Sequence, residues 1–132
     1  MKAFLVDLEN KPGSLATVAE ALGAKGINIT GVSGASCGTS GRAAILTADN
    51  AGARNVFSAK GISFKEMEAT EVNLPHEPGS LGKAARRLAE AMINIEAIFP
   101  TGTSGNEVSV AFVTDNPTKA REVLSAVASG TR

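Results

Sequence analysis

The sequence has few aromatic side chains and no excess of charge. Its 132 residues include no Trp and no Tyr, and 13 Lys and Arg residues balance 13 Asp and Glu residues. Nucleic-acid-binding domains usually combine a basic face with aromatic side chains that stack on bases. Both features are missing, so we expect no nucleic-acid partner. The length suits one ordinary domain or two very small ones that share a core.

Cysteines and long apolar runs are also scarce. Cys37 is the only cysteine, which excludes an intramolecular disulfide and a cysteine-based metal site. No apolar run approaches the roughly 20 residues that a membrane-spanning helix needs, and the N-terminal run is too short for a signal peptide. We therefore expect a cytoplasmic protein with no membrane partner, no metal and no cofactor.

An internal repeat organises the chain. Three separated segments recur at the same offset of 66 residues: Pro12–Leu15 as Pro78–Leu81, Ile27–Ile29 as Ile93–Ile95, and Asp49–Asn50 as Asp115–Asn116. Agreement at three places without a gap predicts two copies of one supersecondary unit. We place the first copy at residues 1–67 and the second at residues 68–132.

The apolar pattern of the first copy predicts the element order βαββαβ. A strand at Lys2–Leu8 precedes a helix that is capped by Ser14, with Leu15, Val18, Ala19 and Leu22 on its buried stripe. The remaining predicted elements are strands at 28–33 and 42–48, joined by a loose hairpin through 34–41, then a helix capped by Asp49–Asn50 and a strand at 62–67.

The second copy follows the same scheme but is incomplete. Its predicted elements are a strand at 70–74, a helix from Ser80 with Leu81, Ala84, Ala85, Leu88 and Met92 inward, strands at 94–99 and 107–114, and a helix capped by Asn116. A fourth strand would begin near residue 128, so the second repeat lacks most of it. We hypothesise that another strand, from the first repeat or from a second chain, covers the exposed edge of strand 70–74.

The two turns and the segments after them resemble the ACT domain, a small-molecule-sensing unit of many amino-acid biosynthetic enzymes. The resemblance rests on Asn10–Leu15 followed by Lys25–Ile29, and on His76–Leu81 followed by Ala91–Ile95. It covers essentially the whole chain in two copies. It implies an α+β, ferredoxin-like βαββαβ sandwich in two tandem repeats that binds an amino acid or a related metabolite between paired ACT units.

The resemblance also implies which residues contact the ligand. In the first copy they are Asn10, Pro12, Gly13, Ser14, Leu15 and Asn28, and in the second copy His76, Pro78, Gly79, Ser80, Leu81 and Asn94. The family often has Asp at the first turn position, where this chain has Asn10 and His76. Free N–H groups at the starts of the two helices suit a carboxylate. A purely structural role in shaping the turns explains Pro12–Gly13 and Pro78–Gly79 equally well, and a structural role is favoured for Asn28 and Asn94.

Three functions remain open at this point. The leading hypothesis is a regulatory module that binds an amino acid and forms a homodimer. The second is a regulatory subunit that acts by docking on an amino-acid biosynthetic enzyme. The third is a small enzyme, which we do not expect because His76, the only histidine, has no evident carboxylate or nucleophile partner.

Overall fold

The computed structural model describes residues 1–129, which form six strands and four helices. In chain order these are β1 (Lys2–Glu9), α1 (Ser14–Ala24), β2 (Ile29–Cys37), β3 (Ser40–Thr47), α2 (Asn50–Ala59), β4 (Phe64–Pro75), α3 (Ser80–Glu90), β5 (Ile95–Ser104), β6 (Glu107–Thr114) and α4 (Pro117–Ser125). The chain divides into two compact units. The first unit is Lys2–Met67, and the second unit runs from Glu68 onward and includes Met1. The predicted α+β class and the repeated alternation of strands and helices are confirmed.

The first unit is a complete βαββαβ arrangement with the strand order β2-β3-β1-β4. β3 pairs antiparallel with both neighbours, so that Ile45 lies opposite Phe4 on β1 and opposite Val32 on β2. The two helices cover one face of these strands, where Phe4 and Phe57 are fully buried. Their rings meet edge to face at 5.3 Å, and Phe64 lies 5.4 Å from Phe57.

The second unit has the strand order β4-β6-β5, with β6 antiparallel to both neighbours. Its core lies under α3 and α4 and includes Leu74, Leu88, Phe112 and Leu124. Thr70 occupies the position that corresponds to Phe4 of the first unit. Its buried hydroxyl has no hydrogen-bond partner among the described residues.

Residues 68–129 contain three strands, the C-terminal part of β4 together with β5 and β6, and no fourth strand. Two backbone hydrogen bonds form on the edge of β4 that faces away from β6. The Ala69 N–H donates to the Met1 carbonyl at 2.7 Å, and the Ser129 N–H donates to the Asn73 carbonyl at 2.6 Å. Contacts from the same chain thus occupy parts of an edge for which we expected a partner strand.

Several predicted strand boundaries are wrong, since β2 and β5 both extend beyond their predicted ends at residues 33 and 99. The strands predicted at 62–67 and 70–74 form one continuous strand, β4, because no glycine, proline or other turn residue interrupts the segment between them. The hairpin predicted as loose is tight, since β2 and β3 pair as far as Cys37 opposite Ser40. Its two-residue turn is made possible by Gly38 at a φ of +65°.

The starts of α1 and α3 also differ from the prediction. Gly13 and Gly79 occupy the cap positions with φ values of 90° and 91°, and neither helix has a side-chain cap. Ser14 and Ser80 are therefore the first helical residues, and they are not caps as predicted. A left-handed glycine turns the chain sharply, which leaves the first N–H groups of the helix without a side-chain acceptor. By contrast, the predicted caps Asp49 and Asn116 are confirmed.

Three side chains predicted to point inward are exposed. Leu15 is 49% exposed, Leu81 is 52% exposed and Met92 is 89% exposed. The sharp glycine turn places Leu15 and Leu81 at the second position of their helices, at the edge of the buried stripe. Both leucines are consequently available at the surface next to the two turns.

Candidate ligand-binding site

A pocket of about 360 Å³ lies beside the turn between β4 and α3. We call it the second turn pocket. It is lined by Leu74, Pro75, His76, Glu77, Ser80, Leu81, Ile98, Phe99, Pro100, Val108 and Val110, which all belong to the second unit. Its volume falls within the range usual for small-molecule sites, and its lining is mostly apolar with a few polar groups at one end.

The polar end of the second turn pocket is the start of α3. Ser80 is only 8% exposed, and the cap residue before it, Gly79, has no side chain that could cap the helix. The Ser80 backbone N–H donates to the Glu77 carbonyl at 3.3 Å, while the N–H groups of Leu81 and Gly82 have no intrahelical acceptor. These donors sit at the positive end of the helix dipole, so the arrangement suits a carboxylate.

The remaining polar groups of this pocket come from the turn itself. The His76 N–H donates to the Asn106 carbonyl at 2.6 Å, which fixes the turn against the tip of the β5–β6 hairpin. The side chains of His76 and Glu77 line the pocket and are exposed. A carboxylate such as Glu77 provides an acceptor for an ammonium group, which an amino acid carries next to its carboxylate.

A corresponding pocket of about 400 Å³, the first turn pocket, lies in the first unit. Six of its lining residues match the second turn pocket at the repeat offset: Leu8 with Leu74, Leu15 with Leu81, Val32 with Ile98, Ser33 with Phe99, Gly34 with Pro100, and Arg42 with Val108. The chemistry of the two pockets differs. The first contains Arg42, whose Nε donates to Asp7 Oδ1 at 3.2 Å, where the second has an apolar side chain.

Three of the predicted site residues meet in the second turn pocket. His76, Ser80 and Leu81 line it, while Pro78 and Gly79 do not and instead form the backbone of the turn. Pro12, Gly13 and Ser14 line a separate pocket of about 520 Å³ between the first turn and residues 61–63. Leu15 lines the first turn pocket.

The predicted asparagines lie outside both turn pockets. Asn10 donates through Nδ2 to the Gly38 carbonyl at 2.9 Å and so ties the first turn to its hairpin. Asn28 accepts the Ala48 N–H at 3.0 Å through its carbonyl. Asn94 donates its N–H to Asp115 Oδ1 at 3.0 Å. Asn28 and Asn94 make these contacts through backbone atoms, and the Asn94 side chain donates through Nδ2 to Glu96 Oε1 at 3.3 Å.

Sequence reasoning missed the apolar lining that β5 and β6 supply. Ile98, Phe99 and Pro100 come from β5, and Val108 and Val110 come from β6. One signal was present, because a proline inside a strand usually marks an edge or a bulge. The register of β5 against β6 does shift between Pro100 and Gly102.

No cluster of three or more metal-ligating side chains occurs in the described part of the chain.

One ion pair in the first unit shifts the pKa of a carboxyl group. The Arg54 guanidinium donates to both carboxylate oxygens of Glu66 at 2.8 Å and holds the pKa of Glu66 below its ordinary value. This pair does not line either turn pocket.

Within residues 1–129, no helix has the length and apolar character that crossing a membrane requires.

The repeated α+β units, with a left-handed glycine turn before the first helix of each repeat, define a tandem ferredoxin-like protein of the ACT type. A protein-family model for the ACT domain pair matches residues 1–128. The chain belongs to the ACT domain pair family.

Solved structures of similar fold include a protein from Bacteroides thetaiotaomicron, with 25% identity and a TM-score of 0.78 over 94% of this chain and 85% of that chain. The regulatory subunit of aspartate kinase from Thermus thermophilus is 19% identical, with a TM-score of 0.65 over 96% of this chain and 90% of that chain. The corresponding subunit from Thermus flavus is 20% identical, with a TM-score of 0.63 and coverage of 96% and 90%. No curated protein matches the chain.

Proposed function

We propose that this protein is a non-catalytic regulatory module that binds a free amino acid or a closely related metabolite at the turn that opens α3. The second turn pocket carries this proposal. It combines carboxylate-binding groups at the helix start, an exposed carboxylate on Glu77 and an apolar floor in one cavity. Those three features match the carboxylate, ammonium and side chain of an amino acid.

The half-exposed leucine beside the pocket supports a second part of the proposal. Leu81 forms part of the pocket rim and is 52% exposed. A second molecule that closed the pocket over its ligand would also bury the exposed half of this side chain, which is favourable. We propose that an ACT unit of a second copy covers the bound ligand, and that the protein acts as a homodimer.

A thermal-shift screen of the full chain against the twenty amino acids tests the proposal. A ligand that binds the folded state raises the melting temperature, and a concentration of 100 times Kd adds about 2.7 kcal/mol of stability. We expect a shift of several degrees for one chemically related group of amino acids. Ser80→Ala should reduce the shift, whereas the matched variant Ser14→Ala should leave it unchanged. A flat panel would contradict the proposal.

We further propose that this protein regulates an enzyme of amino-acid metabolism. Support comes from the two aspartate kinase regulatory subunits, whose fold and length are similar to those of this chain. Co-purification of the tagged chain with an amino-acid biosynthetic enzyme, with and without the ligand found in the screen, tests this part. An enzyme whose activity in the complex does not respond to that amino acid would contradict it.

A further inference from the structure

We propose that the two turn pockets have different functions. The second turn pocket selects an amino acid with an uncharged, apolar side chain, and the first turn pocket does not bind that ligand. This inference rests on the proposed function and adds to it the class of ligand and the unit that binds it.

The floor of the second turn pocket is the first argument. Its lining away from the turn consists only of apolar side chains: Leu74, Leu81, Ile98, Phe99, Pro100, Val108 and Val110. A charged ligand side chain would lose its hydration there without gaining an ionic partner, which is strongly unfavourable. The charge-bearing side chains of the lining are His76 and Glu77, and both belong to the turn at the opposite end.

The polar end of the pocket is the second argument. Ser80 lines the pocket at the start of α3, and Gly79 at the cap position has no side chain that could occupy the first N–H groups of this helix. Uncapped N–H groups at a helix start favour an anionic ligand group. A carboxylate held by the N–H groups of Leu81 and Gly82 places the ligand side chain against the apolar floor.

The first turn pocket lacks these features at the matched positions. Ser33 and Gly34 replace the phenylalanine and the proline of the second unit. Arg42 replaces Val108 and is paired with Asp7. Ser14 corresponds to Ser80, yet it is only half-buried and does not line the first turn pocket. An apolar side chain would therefore meet a guanidinium group and a small polar surface there.

Isothermal titration calorimetry on the full chain tests the inference with alanine, valine, leucine, lysine and aspartate as ligands. We expect one binding site per chain. Affinity should rise by about tenfold or more with each methylene or methyl group added from alanine to leucine, because an apolar pocket discriminates by roughly that amount. Lysine and aspartate should not bind measurably.

Two substitutions at Val108 assign the binding to the second unit. Val108→Arg introduces the residue of the first turn pocket and should abolish leucine binding. Val108→Thr preserves the side-chain shape and should weaken binding by about fivefold or more, because a hydroxyl is buried in apolar surroundings. Arg42→Val is the matched control in the first unit and should leave the affinity unchanged. Far-UV circular dichroism and melting temperatures show whether each variant folds.

The outcomes separate the inference from the proposed function. Tight binding of lysine or aspartate, or two equivalent sites per chain, would overturn the inference and leave an amino-acid-binding module standing. Loss of leucine binding in Arg42→Val with normal binding in Val108→Thr would place the site in the first unit and also overturn it. Absence of binding for every amino acid would overturn both.

Discussion

Replacing Leu81 by serine should weaken ligand binding in a protein that still folds. Complete burial of a leucine side chain is worth about 1.5–3 kcal/mol. Leu81 is 52% exposed in the free protein. If the ligand and the second copy cover most of this exposed half, its burial contributes about 1 kcal/mol to binding. Leu81→Ser should therefore raise the Kd for leucine about fivefold.

The matched variant Leu15→Ser provides the control for this prediction. Leu15 occupies the corresponding position in the first unit and is 49% exposed. Any general effect on solubility or helix stability should thus be the same in the two variants, and only Leu81→Ser should change the Kd measured by calorimetry. Equal effects of both variants, or no effect of Leu81→Ser on a well-folded protein, would refute the reasoning.

Three further predictions concern the folded state. Thr70→Val should stabilise the protein by about 1 kcal/mol in urea denaturation, because it removes a buried hydroxyl that lacks a partner among the described residues. A loss of stability would show that the hydroxyl has a hydrogen-bond partner. Phe57→Ala should lower the free energy of unfolding by about 3–5 kcal/mol, because it removes a fully buried ring that contacts Phe4 and Phe64. A decrease below about 1 kcal/mol would contradict this packing. Arg54 lowers the pKa of Glu66 in the folded state. The stabilisation from this pair is therefore fully present above the ordinary pKa of an unfolded glutamate, about 4.3, and is lost as the pH falls through the lower folded pKa. Urea titrations across this range should show a steeper decline for the wild type than for Glu66→Gln, and parallel curves would argue against the pair.

The fold was predictable from the sequence because its signals are local and occur twice. The repeat offset, the alternation of strands with helices, and the caps at Asp49 and Asn116 each specify an element without reference to distant residues. The same repeat pattern led to the wrong prediction that β4 is two separate strands. The repeat pattern suggests a boundary near Met67, but nothing in the local chemistry interrupts an extended backbone there.

The candidate site was only half predictable. The motif located the turns, and His76, Ser80 and Leu81 follow from it directly. Two features depended on geometry that the motif does not encode. The left-handed conformation of Gly79 moves Ser80 from the cap position into the helix and turns Leu81 outward. The apolar floor comes from β5 and β6, whose proximity to the turn depends on strand pairing between residues far apart in sequence.

The identical turn motifs of the two repeats gave no indication that their pockets differ in chemistry. Pro12–Leu15 and Pro78–Leu81 differ by no residue, so a comparison of motifs predicts equivalent sites. The distinguishing residues lie on the strands opposite, where Arg42 corresponds to Val108 and Ser33 to Phe99. We infer that these positions determine which ligand each pocket accepts.

The most direct test of the account is an amide NMR titration of the full chain with leucine. We predict shifts concentrated at the start of α3, above all at the N–H groups of Leu81 and Gly82, and at the pocket-lining residues of β5 and β6. The corresponding amides of Leu15 and Ala16 should move little. Shifts centred on the first turn pocket, or no shifts with any amino acid, would contradict the central claim that the second unit binds an apolar amino acid.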